Sequence, residues 1–397
     1  MEKLLLKSNQ KIEAIDLTFQ RFLISENLFK HRLIAIKGAR GTGKTTLLLQ
    51  FAKKYLPKDN TVLYFAMDDL FFTKNTLYSL AEQFIINNGK YLLIDEVHKY
   101  PNWSRELKLI YDDFPGIQII FTSSSILTIL QAESDLSRRT ISFELPELSL
   151  REFIELESQI KLPVLKLNEI LENHQEIAFG ILKKTKPVFE FNKYLKYGQY
   201  PYFIEGIEDY YQKVMSTIQL IMDVDIVAIE NLDYNNIVKL KKLLFAIATS
   251  VPFTPNISKL SEKIELSRPF MIKALEILEK AHLIIQLQQS NKGISQLSKP
   301  EKLYIRNTNL IYTIADENAV TGNLRETFFI NQLLHSHKIN LPKAGDFFVN
   351  DSYTFEIGGK NKTRQQINAL TQAYLVKDTI ETGVNRTIPL WMFGFLY

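Results

Sequence analysis

The 397-residue sequence contains no cysteine. That absence excludes disulfides, zinc–thiolate sites, iron–sulfur clusters and cysteine nucleophiles. No apolar run reaches the ~20 residues needed to span a bilayer. The opening MEKLLLKSNQ has too short an apolar core for a signal peptide. The expectation is a soluble, cytoplasmic protein with no membrane partner. A large charge imbalance is also missing, since 48 basic and 44 acidic residues leave +4. Such a balance permits a nucleic-acid partner without arguing for one, because basic binding faces are local. The six histidines show no metal-ligand spacing, and no internal repeat, low-complexity tract or long linker stands out. Hydrophobic residues at 46% and charged residues at 23% indicate folded domains, two to three for this length.

What is present gathers first in LIAIKGARGTGKTTLLLQF, Leu33 to Phe51. The spacing G-x-x-x-x-G-K-[ST] is filled by Gly38, Gly43, Lys44 and Thr45. Leu33 to Ile36 reads as a buried strand and Thr45 to Lys54 as a helix, which is the setting a phosphate-binding loop requires. Backbone N–H groups of Gly38, Ala39, Arg40, Gly41, Thr42 and Gly43 can then turn toward phosphate oxygens at the positive end of the helix. Lys44 supplies a charge for the β- and γ-phosphates, Thr45 a hydroxyl for magnesium, and Thr46 completes the loop. ATP and Mg2+ are the expected ligands.

Hydrolysis needs more parts. KYLLIDEVHKYPNW, Lys90 to Trp103, carries an apolar run ending in Asp95 and Glu96. A run this apolar suits a central parallel strand, whose carboxyl end is where ligands bind in open α/β sheets. Asp95 would hold the magnesium, and Glu96 would polarise the attacking water as general base. GIQIIFTSSS, Gly116 to Ser125, ends in hydroxyls, and Thr122 or Ser123 could sense the γ-phosphate or the water. The runs Thr61 to Met67 and Arg139 to Leu145 complete five strands with helical stretches between them. The alternation predicts an α/β fold with a doubly wound parallel sheet. Arg138 and Arg139 precede the fifth strand. An arginine there could stabilise transition-state charge from its own chain or a neighbour's, the alternative being a solvated basic pair. His98, beside the acidic strand end, reads as a surface histidine.

These residues, with LLIDEVHKYPNWSRELKLIYDDFP, IIFTSSS, LPELSLREF, YGQYP, KPEKLYIRN and FEIGGKNKTRQQI, fall in a familiar order. The chain resembles the archaeal and bacterial AAA-type ATP-binding proteins with a C-terminal winged-helix and PD-(D/E)xK nuclease-like region. The resemblance implies the roles above for Lys44, Thr45, Asp95 and Glu96. It places Arg139 on the family's glycine-arginine pair, with Arg138 in the glycine's place. It also implies four parts: an AAA-type core with an N-terminal helical segment (1–148), a helical lid (149–235), a winged helix-turn-helix (236–310) and a nuclease-like domain (311–397).

Beyond the core, Ser149 and Glu152 form a capping-box pattern that opens a mostly helical stretch to about Leu232. Ser258 to Ile264 and Ser267 to Ala281 read as two helices, with Ser267 as cap and Pro269 in the first turn. Leu283 to Leu287 and Lys302 to Ile305 read as two wing strands linked by QQSNKG. The second helix would expose Arg268, Lys273, Glu276, Glu279 and Lys280, and acids among those bases weaken a phosphate-facing surface. DNA contact and plain packing both stay open for it.

The last segment carries Glu326 on an apolar-periodic helix, then two strand-like runs around NDS. By the resemblance, Glu326, Asp346 and Glu356 would hold a second metal. The usual lysine position is occupied by Gly358, and Lys360 is the nearest candidate. A nuclease-like fold with weak or no cleavage is expected, and the closing TIPLWMFGFLY reads as a further strand. Together these readings describe a Mg-ATP hydrolase that repositions its C-terminal modules, with DNA as the preferred partner. The rival is an ATP-gated switch or scaffold that binds another protein.

Overall fold

Four short strands that bury both faces, with a more exposed fifth at one edge, organise the first part of the chain. The computed structural model describes all residues except 26–29, 124–135, 137, 231, 251–256, 289–299 and 317–318. The chain divides into two units, Met1–Glu147 and Leu148–Tyr397.

In the first unit, β1 (Leu33–Lys37), β2 (Val62–Ala66), β3 (Tyr91–Asp95), β4 (Gln118–Ser123) and β5 (Ile141–Glu144) form one sheet in the order β2-β3-β4-β1-β5. Every pairing is parallel. Alternate strand residues enter two cores on opposite faces. Ala35, Phe65, Ile94 and Phe121 pack on one side, and Ile36, Tyr64, Leu93 and Ile120 on the other. That two-sided burial is why the strands read as continuous apolar runs. Helices α1 (Glu2–Ala14), α2 (Lys44–Tyr55), α3 (Leu77–Ile86) and α4 (Trp103–Asp113) accompany the sheet. At the β2 edge, the Ser8 hydroxyl of α1 accepts the Tyr64 backbone N–H at 2.9 Å, satisfying a donor that an edge strand would otherwise expose. The register pairs Ala66 with Asp95, and Lys37 with both Ser123 and Glu144. The carboxyl ends of all five strands therefore lie along one border of the sheet.

The second unit begins with helix Leu150–Ser158, where Ser149 and Glu152 make both hydrogen bonds of the capping box. The Ser149 hydroxyl donates to the Tyr397 carbonyl at 2.7 Å. Leu165 N–H donates to the Phe395 carbonyl at 2.8 Å, and the Phe191 and Phe328 rings meet at 4.7 Å. The helices expected as a lid thus share a compact unit with the C-terminal residues. Two motifs distant in sequence, YGQYP and IRNTN, meet in one buried network. Asn309 accepts from Gln199 N–H at 2.8 Å and donates to the Leu195 carbonyl at 2.8 Å, while Gln199 Oε1 accepts from Asn309 N–H at 3.0 Å. Those residues are fully buried with their polar groups mutually paired, which assigns both motifs to holding the unit together.

Helices Ile257–Ile264 and Arg268–Lys280 are followed by antiparallel β6 (Ile284–Leu287) and β7 (Lys302–Ile305). Ser267 caps the second helix by accepting from Phe270 N–H. Most of QQSNKG lies outside the described residues. On that helix Lys273 pairs with Glu230 at 2.9 Å, and Glu279 accepts from Gln286 N–H at 2.9 Å.

A second sheet has the order β12-β11-β10-β9-β8, with β8 (Ile339–Asn340), β9 (Phe347–Val349), β10 (Tyr353–Gly358), β11 (Ala373–Lys377) and β12 (Thr387–Pro389). Asn350 and Asp351 both take positive φ in the β9–β10 turn, the conformation a tight hairpin favours. Helix Thr321–Leu333 sets Phe329 against Phe347, Phe355 and Phe393. The C-terminus departs from the expected strand. Only Thr387–Pro389 is extended, and Leu390–Phe395 winds into a 3-10 helix whose side chains are all buried. An apolar run this short does not distinguish a strand from a buried helical turn.

Candidate nucleotide site and C-terminal acidic cluster

The phosphate loop leaves β1 at Gly38, where an added Cβ would lie 2.3 Å from the Leu145 carbonyl oxygen. Only glycine allows that approach. Gly41 and Gly43 take φ of 79° and 88°, conformations that glycine adopts without steric cost. Lys44 opens α2 and is almost fully buried, its ammonium donating to the carbonyls of Gly38 at 2.9 Å and Ala39 at 2.7 Å. The Thr42 hydroxyl donates to the Ala39 carbonyl at 2.9 Å. Buried Arg21 fixes the loop from outside, with one nitrogen on the Thr42 carbonyl at 2.6 Å and another on Pro146 at 2.8 Å. Arg21 has no motif around it, so the sequence offered no signal for this role.

Thr45 follows at the first turn of α2 and donates to Asp95 Oδ2 at 2.7 Å. Asp95 also accepts from Tyr64 OH at 2.9 Å and from the Thr122 hydroxyl on its other oxygen. Burial pushes the Tyr64 phenol well above its ordinary range, and the Asp95 charge adds to the shift. Glu96 takes a left-handed backbone, φ 52°, and donates its N–H to the Thr122 hydroxyl at 3.0 Å. Its carboxylate is paired with the Lys99 ammonium and lies 3.7 Å from Arg40. Ser123 Oγ approaches His98 Nδ1 at 3.4 Å, and Thr46 is exposed on α2. Lys44, Thr45, Asp95, Glu96 and Thr122 are thus brought together. Glycine backbone, ammonium, hydroxyl and carboxylate are the donor set that a magnesium-bound nucleoside triphosphate needs.

Arg139 is not brought there. Ile141 pairs with Ile34 at the start of β1, whereas Glu144 pairs with Lys37 beside the loop. Arg139 therefore lies at the amino end of the sheet, opposite the nucleotide loop. There it makes a two-point ion pair with Asp112 of α4, at 2.8 and 2.9 Å. Parallel strands impose this placement, because a residue before a strand and a residue after it occupy opposite borders. Arg138 is exposed beside it.

In the second unit Glu326, Asp346 and Glu356 surround one region with two lysines. Tyr304 OH donates to Glu326 Oε2 at 2.7 Å, and Lys302 reaches the same oxygen at 3.4 Å. Asp346 Oδ2 accepts Ile357 N–H at 2.7 Å. Burial raises the Glu326 and Glu356 carboxyls above the ordinary carboxylate range, opposed by Lys302 and Lys362 respectively, and the Asp346 charge raises both. The lysine paired with fully buried Glu356 is Lys362. Lys360 is exposed, and its carbonyl accepts from Lys377 at 2.9 Å. An added Cβ on Gly358 would lie 2.3 Å from the Lys362 side chain, so the glycine lets the chain turn and carry Lys362 back. The lysine that reaches Glu356 is therefore Lys362 rather than Lys360. Among the described residues no group of three acidic or histidine side chains is placed to hold a metal.

Residues 30–154 match the family model of an AAA domain, and residues 188–321 match a domain of unknown function. The AAA-domain match covers most of the first unit and the opening residues of the second. An uncharacterised protein of Methanocaldococcus jannaschii, MJ1637, is 29% identical over 288 residues, covering 69% of this chain. The match spans 60% of that relative's length. Among solved structures, the Walker-type ATPase PABY2304 of Pyrococcus abyssi is similar at 13% identity and a TM-score of 0.42, covering 78% of this chain and 95% of that one. DnaA from Aquifex aeolicus, solved bound to AMPPCP, is similar at 20% identity and a TM-score of 0.27, covering 64% and 84%. No helix among the described residues is long and apolar enough to cross a membrane.

Proposed function

We propose that the first unit binds Mg-ATP and hydrolyses it. The observation that carries this reading is the Thr45–Asp95 hydrogen bond beside a lysine-bearing glycine loop, inside a segment that matches an AAA domain. Thr45 and Asp95 would hold the magnesium, which supplies charge neutralisation on the phosphates. Lys44 would bind the β- and γ-phosphates. Glu96 would take a proton from the attacking water, and Thr122 orients the acidic pair by bonding to both Asp95 and the Glu96 backbone.

The second unit is read as the module that hydrolysis repositions, with DNA as its preferred partner. Support comes from the charge coupling among Glu326, Asp346 and Glu356 and their pairing with Lys302 and Lys362, residue types that phosphodiester chemistry uses. A protein partner for an ATP-gated scaffold is the competing reading. ATP turnover measured with and without single- and double-stranded DNA, across a salt series, tests them together. DNA-stimulated, salt-sensitive turnover supports the nucleic-acid reading. Turnover indifferent to DNA supports the scaffold, and no turnover at all removes the ATPase.

A further inference from the structure

Glu96 must turn a carboxylate oxygen toward the attacking water before it can take a proton. Here both oxygens face cations. The Lys99 ammonium is paired with Oε2, and Arg40 lies 3.7 Å from Oε1. The two cations differ in what would release them. Arg40 belongs to the phosphate loop, so a bound triphosphate competes directly for its guanidinium. Lys99 sits in the turn after Glu96 and has another anionic partner. Its ammonium donates to Asp68 Oδ2 at 2.9 Å, just past the end of β2.

Glu96 cannot escape through its backbone, which is held in the left-handed region with its N–H on Thr122. Release therefore falls to the side chains. A lysine that shifts wholly onto Asp68 frees Glu96 without losing its own ion pair. We propose that Lys99 is a latch on Glu96, a positioning residue that turns the base away from the water until it moves onto Asp68. This inference rests on the ATPase reading. Glu96 and Lys99 are 24% and 33% exposed and Asp68 is 53% exposed. Pairs this accessible are weak, so the latch should shift populations modestly, by about two- to fivefold.

The test measures kcat, KM and nucleotide affinity on the full chain for Lys99→Met, Lys99→Arg, Asp68→Asn and the Lys99→Met/Asp68→Asn double variant. Lys99→Met should raise kcat about two- to fivefold with nucleotide affinity unchanged, and Lys99→Arg should keep the parent rate. Asp68→Asn should lower kcat, because the lysine then has only Glu96. The double variant should match Lys99→Met alone. Lys99→Met turnover at or below an active parent's rate overturns the latch and leaves the ATPase reading standing. Nucleotide binding without turnover in both parent and Lys99→Met overturns both.

Discussion

The Thr45 hydroxyl donates to the Asp95 carboxylate at 2.7 Å, joining the first turn of α2 to the carboxyl end of β3. Neither residue is placed by its own neighbours alone. Thr45 depends on the glycine turn before it, and Asp95 on a strand buried between two others. Tyr64 and Thr122 add their hydroxyls to the same carboxylate from the strands on either side. Three elements thus aim one acidic group at the phosphate loop, the preorganisation that the proposed magnesium position would need.

Binding and hydrolysis should separate by mutation. Lys44→Ala removes the main charge on the phosphates, and ATP affinity should fall sharply in equilibrium binding. Glu96→Gln keeps the shape and loses the base, so Mg-ATP should still bind while turnover drops at least about a hundredfold. Parent-like turnover by Glu96→Gln would reassign the base.

Gly38→Ala tests the loop's steric requirement. Its Cβ would meet the Leu145 carbonyl at 2.3 Å, and that oxygen belongs to backbone, which cannot swing aside. The expected cost is about 1–3 kcal/mol in stability, with nucleotide affinity falling as the loop shifts. Urea unfolding and nucleotide titration read the two effects separately.

Arg139→Ala should leave turnover unchanged, because the side chain is paired with Asp112 at the opposite border of the sheet. Its melting temperature should fall only slightly, as expected for an exposed pair. A slowed variant whose activity returns on mixing with Lys44→Ala protein would instead mean that a neighbouring molecule supplies the arginine.

The contrast between Arg139 and Thr122 shows what the sequence makes legible. Gly38, Lys44, Thr45, Asp95 and Thr122 lie at strand ends or in the loop itself, so strand direction alone brings them together. Arg139 lies at a strand start, and the same rule separates it from them. Arg21, Lys302 and, toward Asp68, Lys99 act across long gaps between elements, and no local pattern marks such contacts. Lys362 was hidden differently. The Gly358–Gly359 pair permits a turn, but only the folded turn shows which lysine returns to Glu356.

Glu326 should cost the fold stability at neutral pH. Burial raises its carboxyl above the ordinary 4.5, with Lys302 opposing the shift. A raised value means that the folded state holds the proton more tightly than the unfolded chain. The favourable contribution is therefore complete below the ordinary value and is lost as pH rises through the raised one. Glu326→Gln should be as stable as the parent or more so at pH 7, with the difference shrinking toward about pH 4. Denaturant midpoints across that range provide the check, and a variant destabilised equally at every pH would contradict it.

The final prediction concerns the ammonium at Glu356. Lys362 pairs with a carboxylate that has no solvent exposure, and it passes over Gly358 to do so. Lys362→Met should leave that carboxylate buried without its cation and lower the melting temperature, because an unpaired buried charge is costly. A divalent cation that can reach the cluster should then substitute for the ammonium. Mn2+ or Mg2+ would raise the melting temperature of Lys362→Met more than that of the parent, by mass action on the folded state. Lys360→Met should resemble the parent in both measurements, since its side chain is exposed. The same three proteins, incubated with supercoiled DNA and Mn2+, address cleavage. Any metal-dependent cutting should vanish in Lys362→Met and persist in Lys360→Met. Cutting that depends on Lys360 would return the catalytic assignment to the earlier residue. A Lys362→Met protein with no response to divalent cations would identify the cluster as a structural ion-pair network.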